Sequence, residues 1–400
     1  MCHDHSATPA IDRAMLTEQI LTSLRRLGFQ IEHGRLVPPV TEKAIIRAMH
    51  APATAWERSH QRAWITWAWQ TYSRWFANGT DVIPEHITPV LCDARYPPFR
   101  DLFRLVRLSW SVPFSRGCGR RMRFVVIDAA IEKVIGILGF QSPPLSFPAR
   151  DRRWNYPPGK KPLLVNQTLD IHTLGAVPPY DRLLGGKLLA YLAVSNEVRA
   201  QYRQRYHQQR TIVANRVLPP DVVAYTTVGA FGKSSMYERL TYRNVPLVIS
   251  LGVTEGYGVF HLTPWYRSLR MLLREHGIDD QTGLQHGPRR KWQLITMALH
   301  SLGLPSSLLR HGIRRHAYLF PLIHNLDEYM EGRNDIPIVR DYPLVDLVAW
   351  WKERWLLPRA QRILDWKEAT IDILRSRLFD DTGNGSPPDR DHAVVEGATR

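Results

Sequence analysis

Cysteine is nearly absent from this chain: there are three in 400 residues, Cys2, Cys92 and Cys118, and no Cys-x-x-Cys pair. Odd in number and far apart, they exclude a disulfide framework and supply no structural zinc pattern. Cys2 with His3 and His5 offers three donors in a terminal tail, short of the four organised ligands that zinc takes, so no metal is expected. No apolar run approaches the roughly 18 residues of a membrane span. The start, Met-Cys-His-Asp-His, has neither the basic flank nor the apolar core of a signal peptide. The sequence therefore predicts a cytoplasmic protein with no membrane partner. Internal repeats are missing too. Acidic residues are the last shortage, 37 against 53 Lys and Arg, which leaves a net charge of +16.

What is present is an ordinary globular composition, 44% hydrophobic and 22% charged, long enough for one large domain or several smaller ones. The excess positive charge points to an anionic partner, nucleic acid above all. It is also clustered. Eight Arg lie between Arg95 and Val125 (95, 100, 104, 107, 116, 120, 121 and 123) against the single acid Asp101. Five more, with no acid, lie between Arg199 and Arg216. Arg150, Arg152, Arg153, Lys160 and Lys161 surround Trp154 and Tyr156. Arginine interleaved with aromatics suits phosphate contact and base stacking. The residues singled out as nucleic-acid contacts are Arg116, Arg120, Arg121, Arg123, Arg152, Arg153 and Lys160.

Hydrophobic spacing predicts an α+β chain with helical regions at both ends. Leu16, Ile20, Leu24 and Leu27 form a helical stripe ended by Gly28, and a tryptophan-rich helix is expected to close near Asn78-Gly79. Arg123–Asp128 and Lys133–Phe140 read as neighbouring antiparallel strands, and 161–176 as a longer strand. Leu184, Leu188, Tyr191, Ser195, Val198 and Tyr202 read as one helix face. Val222–Thr227 and Pro246–Leu251 read as strands, Ser234–Leu240 as a short helix, and Val259–Leu262 as a strand closing the sheet. The expected division is 1–92 helical, 93–276 an α/β core, 277–379 helical, and 380–400 a disordered Asp/Gly/Pro/Ser-rich tail. The helical end of this third part carries Trp350, Trp351 and Trp355, a candidate surface for a protein partner.

Few residues carry an obvious chemistry. Gly229-Ala-Phe-Gly232-Lys233-Ser234 misses the P-loop pattern because Thr227 stands where its first Gly belongs. Asp170 and His172 share a strand face but have no nucleophile beside them in sequence, which favours a structural pair. Asp128, Glu132 and Lys133 do not make a nuclease metal site. The strongest local feature is the turn from Asp170 through Pro178-Pro179 to the helix start Gly185-Gly186-Lys187, an anion-site arrangement of free amides, dipole and cation.

The order of strands, glycine-led helix and tyrosine-bearing segment resembles an acyl-CoA N-acyltransferase (GNAT) core. In that superfamily an Arg/Gln-x-x-Gly-x-Gly/Ala turn cradles the cofactor pyrophosphate. The matching run is Arg182-Leu-Leu-Gly185-Gly186-Lys187, with Lys187 replacing the last small residue. The resemblance implies a mixed sheet flanked by helices, acetyl-CoA as a cofactor at Arg182, Gly185, Gly186 and Lys187, and Tyr237 as the acid that protonates a leaving thiolate. A closer resemblance rests on Ile137-Leu-Gly-Phe-Gln-Ser142, Leu174-Gly-Ala-Val-Pro-Pro-Tyr180, Leu183-Leu-Gly-Gly-Lys-Leu-Leu189 and Trp350-Trp-Lys-Glu-Arg-Trp355. These look like the DruA family of the Druantia anti-phage system. That resemblance implies a bacterial defence component with other defence proteins, such as a helicase, as partners. It brings no catalytic residue set. A transposon-associated DNA-binding protein and an N-acyltransferase are the alternatives.

Overall fold

The computed structural model describes residues 12–39, 42–113, 117–211, 215–278 and 288–380. Helix α1 (Arg13–Arg26) begins where the Asp12 carboxylate accepts from the Met15 amide at 3.1 Å, and it buries Leu16, Ile20 and Leu24. Gly28 follows it at φ 87°, a conformation that suits glycine. A small hairpin comes next, β1 (Gln30–Glu32) and β2 (Arg35–Val37), and then α2 (Lys43–Ser59) and α3 (Arg62–Tyr72). The tryptophan-rich stretch is thus two helices meeting at His60-Gln61, and Trp67 stands 47% exposed.

The body of the molecule is a mixed sheet. Its strands are β3 (Pro89–Asp93), β4 (Met122–Asp128), β5 (Lys133–Gln141), β6 (Thr168–Ala176) and β7 (Ala224–Val228), together with two that come after a separate hairpin, β8 (Thr241–Tyr242) and β9 (Val245–Pro246). Those two are β10 (Ile249–Glu255) and β11 (Arg314–Pro321). The order across the seven-stranded sheet is β10-β11-β7-β6-β5-β4-β3, antiparallel except for the parallel pair β6–β7. That pair is joined only at Thr168, Leu169 and Asp170 opposite Ala224, Tyr225 and Thr226.

The helices between strands are α4 (Phe99–Leu108), α5 (Pro148–Asp151), α6 (Lys161–Asn166), α7 (Gly185–Ala193) and α8 (Asn196–Tyr206). Beyond β10 come α9 (Tyr266–Glu275), α10 (Pro288–Ser301), α11 (Leu326–Met330), α12 (Leu344–Trp351), α13 (Leu357–Arg362) and α14 (Asp372–Phe379). Alternation along the strands sends Phe124, Val126, Leu138, Phe140, Ile171, Tyr225 and Tyr318 to one face, which α7, α8 and α12 cover. Val125, Ile127 and Ile137 face the other way, against α3, α4 and α14. The short α5 covers the β10–β11 part of that second face, with Phe147 and Ala149 against Ala317. A further core unites distant segments, α1 and α2 with α9 and α10, around Ile20, Met49, Leu272 and Ile295.

The α+β class holds, but several elements differ from the sequence reading. Residues 161–176 are not one strand: Pro162 at the second position starts the short α6, and the strand begins at Thr168. The single helix face across 184–202 is two helices, because Ser195 ends α7 and caps α8, its hydroxyl accepting from Val198. Ser234–Leu240 forms turns rather than a helix, with Arg239 at φ 55°. Val259–Leu262 does not close the sheet; a 3-10 helix runs over Phe260–Trp265. The last strand of the chain to join the sheet is β11, inserted between β10 and β7, from a stretch expected to be helical. No helix among the described residues is long and apolar enough to cross a membrane.

Candidate nucleic-acid interface and the glycine-led helix

Strand direction decides which loops meet. The starts of β4, β6, β7 and β10 and the ends of β3, β5 and β11 lie at one end of the sheet. The three basic segments of the sequence all attach there. Arg95 follows β3, Arg120 and Arg121 precede β4, and α5 with Lys160 and Lys161 fills the β5–β6 connection. The α8 arginines precede β7. Direct contacts tie the first and last of them together. Arg205 on α8 donates to the Arg121 carbonyl at 3.1 Å and to Asp93 at 2.7 Å, where Arg95 also pairs at 2.7 Å. The Tyr206 hydroxyl donates to the Arg121 carbonyl at 2.8 Å.

The individual side chains divide into an outer set and an inner set. Arg121, Arg152, Arg153 and Lys160 are exposed, and Arg153 pairs with Asp327 at 2.9 Å. Arg120 is turned inward, donating to the Tyr202 hydroxyl and the Asn166 carbonyl, so it fastens β4 to α6 and α8. Arg123 is half-buried, with its guanidinium 5.3 Å from the centre of the Phe103 ring. Arg150 is wholly interior, donating to the carbonyls of Pro144 and Leu145. Trp154 is buried with its indole N–H on Asp327, so it offers no face for stacking. Among the described residues, the exposed ring at this end is Tyr96, beside Arg95. Arg116 and the 381–400 tail, together with Cys2, His3 and His5, lie outside the described residues.

Gly185, Gly186 and Lys187 are brought together with the Tyr237 segment, but toward the opposite end of the sheet and packed into one another. Leu184 adopts φ 58° and opens α7. The Gly185 amide donates to the Tyr180 carbonyl at 2.8 Å, and a Cβ on Gly185 would stand 2.7 Å from that same oxygen. A Cβ on Gly186 would meet the Met236 sulfur at 2.7 Å. The glycines thus permit approach of the protein's own chain. The Lys187 ammonium is buried, donates to the carbonyls of Ser235 and Glu238 at 2.8 Å each, and lies 4.2 Å from the Trp355 ring centre. Burial, with Arg239 nearby, brings its pKa down to about 8. Arg182 donates to the Asp365 carbonyl. The cradle is filled by side chains and carbonyls, and it does not fit an acyl-CoA pyrophosphate. Tyr237 packs between Tyr318 and Phe320, its pKa pushed up to about 12 by burial.

A polar cluster that the sequence left as a structural pair lies on the α4–α5 face. The Asp170 carboxylate accepts from Gln141 at 2.8 Å and from Thr226 at 3.3 Å, and burial raises its pKa to about 6. Gln141 in turn accepts from the Cys118 amide at 3.1 Å. The His172 ring has Thr173 Oγ1 2.8 Å from Nδ1, and its Nε2 is buried with no hydrogen-bond partner. Gln141 and Thr226 had no signal in the sequence, because only strand pairing brings them to Asp170. Among the described residues no group of three or more His, Cys, Asp or Glu side chains could hold a metal ion.

A family model for Druantia protein DruA matches residues 40–332. The chain is also 30% identical over 380 residues to the Druantia protein DruA of Escherichia coli strain UMEA 4076-1, covering 93% of each. This chain belongs to the DruA family. The four runs quoted from the sequence lie at β5, at the end of β6, at the start of α7 and across the end of α12. No solved structure matches it.

Proposed function

We propose that this DruA family member is a component of an anti-phage defence system and binds nucleic acid through the basic end of its sheet. Family membership supports the first part. The second part rests on one observation: three basic segments, far apart in sequence, all attach to one sheet end. Arg121, Arg152, Arg153 and Lys160 stand outward there. Such an end gathers counterion-releasing contacts to phosphates. On this reading the core is an acyltransferase-like scaffold that works without acyl-CoA. The strand order, the parallel pair and the glycine-led helix support the likeness; the filled cradle and the buried Lys187 support the loss of the cofactor.

Fluorescence anisotropy with labelled DNA and RNA tests the binding. Affinity should fall linearly on a log–log plot against salt. Reversing Arg121, Arg152 and Lys160 to Glu should weaken it at least about tenfold and flatten the slope by about 0.9 for each phosphate no longer neutralised. No detectable binding at low salt, or an unchanged slope in the triple variant, defeats the reading. Other proteins of the defence system are the expected partners, and affinity purification from phage-infected cells should recover them.

A further inference from the structure

We propose that the α3–α4 surface carries a stacking track for single-stranded nucleic acid, continuous with the basic end of the sheet. The inference rests on the nucleic-acid reading above and adds to it the form of the ligand. Tyr96 begins the track. Its ring is 69% exposed beside Arg95, which shares Asp93 with Arg205 of α8. Arg100 lies one turn further on: its amide donates to the Tyr96 carbonyl at 2.9 Å and its guanidinium to Asp101 at 3.1 Å. The Tyr72 hydroxyl of α3 donates to the same carboxylate at 3.4 Å. From Tyr72 the contacts pass to Trp67, with ring centres 5.8 Å apart, and from Trp67 to Trp64 at 6.3 Å. Arg104 ends the track, its guanidinium 3.8 Å from the Trp64 ring centre and donating to Gln61 Oε1.

Exposure and charge select the ligand. Trp64, Trp69, Tyr72 and Trp75 pack against the core beneath α3, while Trp67 stands outside it, 47% exposed. Its two ring neighbours meet it at 54° and 86°, so neither stacks flat on its faces. Helix α3 contains no acidic residue, and α4 contains one, Asp101, which is buried and engaged by Arg100 and Tyr72. The exposed charges of 61–74 and 95–104 are therefore all arginines: Arg62, Arg74, Arg95 and Arg100. Exposed rings among cations, with the acid turned inward, suit a polyanion that has flat faces of its own. A duplex keeps its base faces covered by one another and offers this surface its phosphates. A single strand offers phosphates to the arginines and open base faces to Trp67 and Tyr96.

The experiment measures anisotropy with three labelled oligomers of one length: a single strand (as DNA and as RNA), its duplex, and a single strand of abasic sugars. The strand with bases should bind at least about tenfold more tightly than the abasic strand, the scale of one base–aromatic stack. Trp67→Ala and Tyr96→Ala should each remove about that factor from the single strand and leave the duplex and the abasic strand unaffected. Trp67→Phe, which keeps a ring face, should retain most of the affinity. Thermal melting checks the fold of each variant, and Tyr96→Ala decides the matter if Trp67→Ala unfolds. Equal affinity for strands with and without bases overturns the proposal, as does a loss in the variants that is absent or equal for all three oligomers. In those cases salt-dependent binding of the duplex leaves the nucleic-acid reading standing without the track. If no oligomer binds at low salt, both fail. A folded Trp67→Ala protein that binds every oligomer as before but loses a co-purifying protein overturns the track and assigns the surface to that protein.

Discussion

At the scale of single residues, Lys187 and its two glycines show how one sequence pattern serves packing where it resembles a ligand cradle. The Lys187 ammonium bridges two carbonyls of the 235–238 turn, so Lys187→Met should leave both acceptors buried and lower stability by about 1–3 kcal/mol in urea unfolding. Gly185 and Gly186 should respond differently to alanine. At Gly185 the obstacle is the Tyr180 carbonyl, a backbone atom, and overpacking there should cost about 1–3 kcal/mol. At Gly186 the obstacle is the flexible end of Met236, and the roughly 1 kcal/mol gained in helix propensity should offset most of the strain. Equal losses at the two positions would refute this account of the turn.

At the scale of elements, the tryptophans of the α12–α13 segment act as internal staples. Trp350 donates to the Thr241 carbonyl at 2.7 Å, Trp351 to the Leu184 carbonyl at 3.2 Å, and Trp355 to the Tyr191 hydroxyl at 3.0 Å. The segment was a candidate partner surface in the sequence, and the fold turns these indole N–H groups toward α7 and the β8 hairpin. Deleting 344–379 should therefore uncover α7 on one face and the apolar residues under α14 on the other, and abolish cooperative thermal unfolding, rather than release a partner from an intact protein. Circular dichroism of the truncated chain checks this, and a sharp native-like transition would count against it.

At the scale of the whole molecule, three buried histidines and the half-buried His172 set the response to acid. Burial lowers the pKa of His50 and His172 to about 3, of His261 to about 4 and of His311 to about 2. The unfolded chain binds protons at these rings below pH 6.5, the folded chain does not, and stability is lost as pH falls through that range. Asp170 has the opposite sign, because its folded pKa of about 6 means that unfolding releases a proton. Near pH 5 these five groups take up about three protons on unfolding, four minus one, or about 4 kcal/mol per pH unit. Urea unfolding at pH 7, 6 and 5 should show a steepening loss of stability, and His50→Phe should reduce the slope. A stability flat from pH 7 to 5 would contradict it.

The sequence by itself determined the class and the strongest elements, since apolar spacing is a local property. The stripe of α1, the β4–β5 pair and the glycine at the start of α7 were all legible, as were the three basic clusters and the resemblance to the DruA family. Where a short element depended on its neighbours, reading it locally failed: β11 is a strand because β7 and β10 lie on either side of it, and 234–240 is a turn because Lys187 and Tyr318 hold it. Only the tertiary structure decided that α1 and α2 share a core with α9 and α10, and that Gln141 and Thr226 meet Asp170. The two features that opened the functional question were also separated only there. The glycine-led helix start is filled by its own chain, and the basic segments converge at the far end of the sheet, because strand direction, which no single segment encodes, assigns each loop to an end.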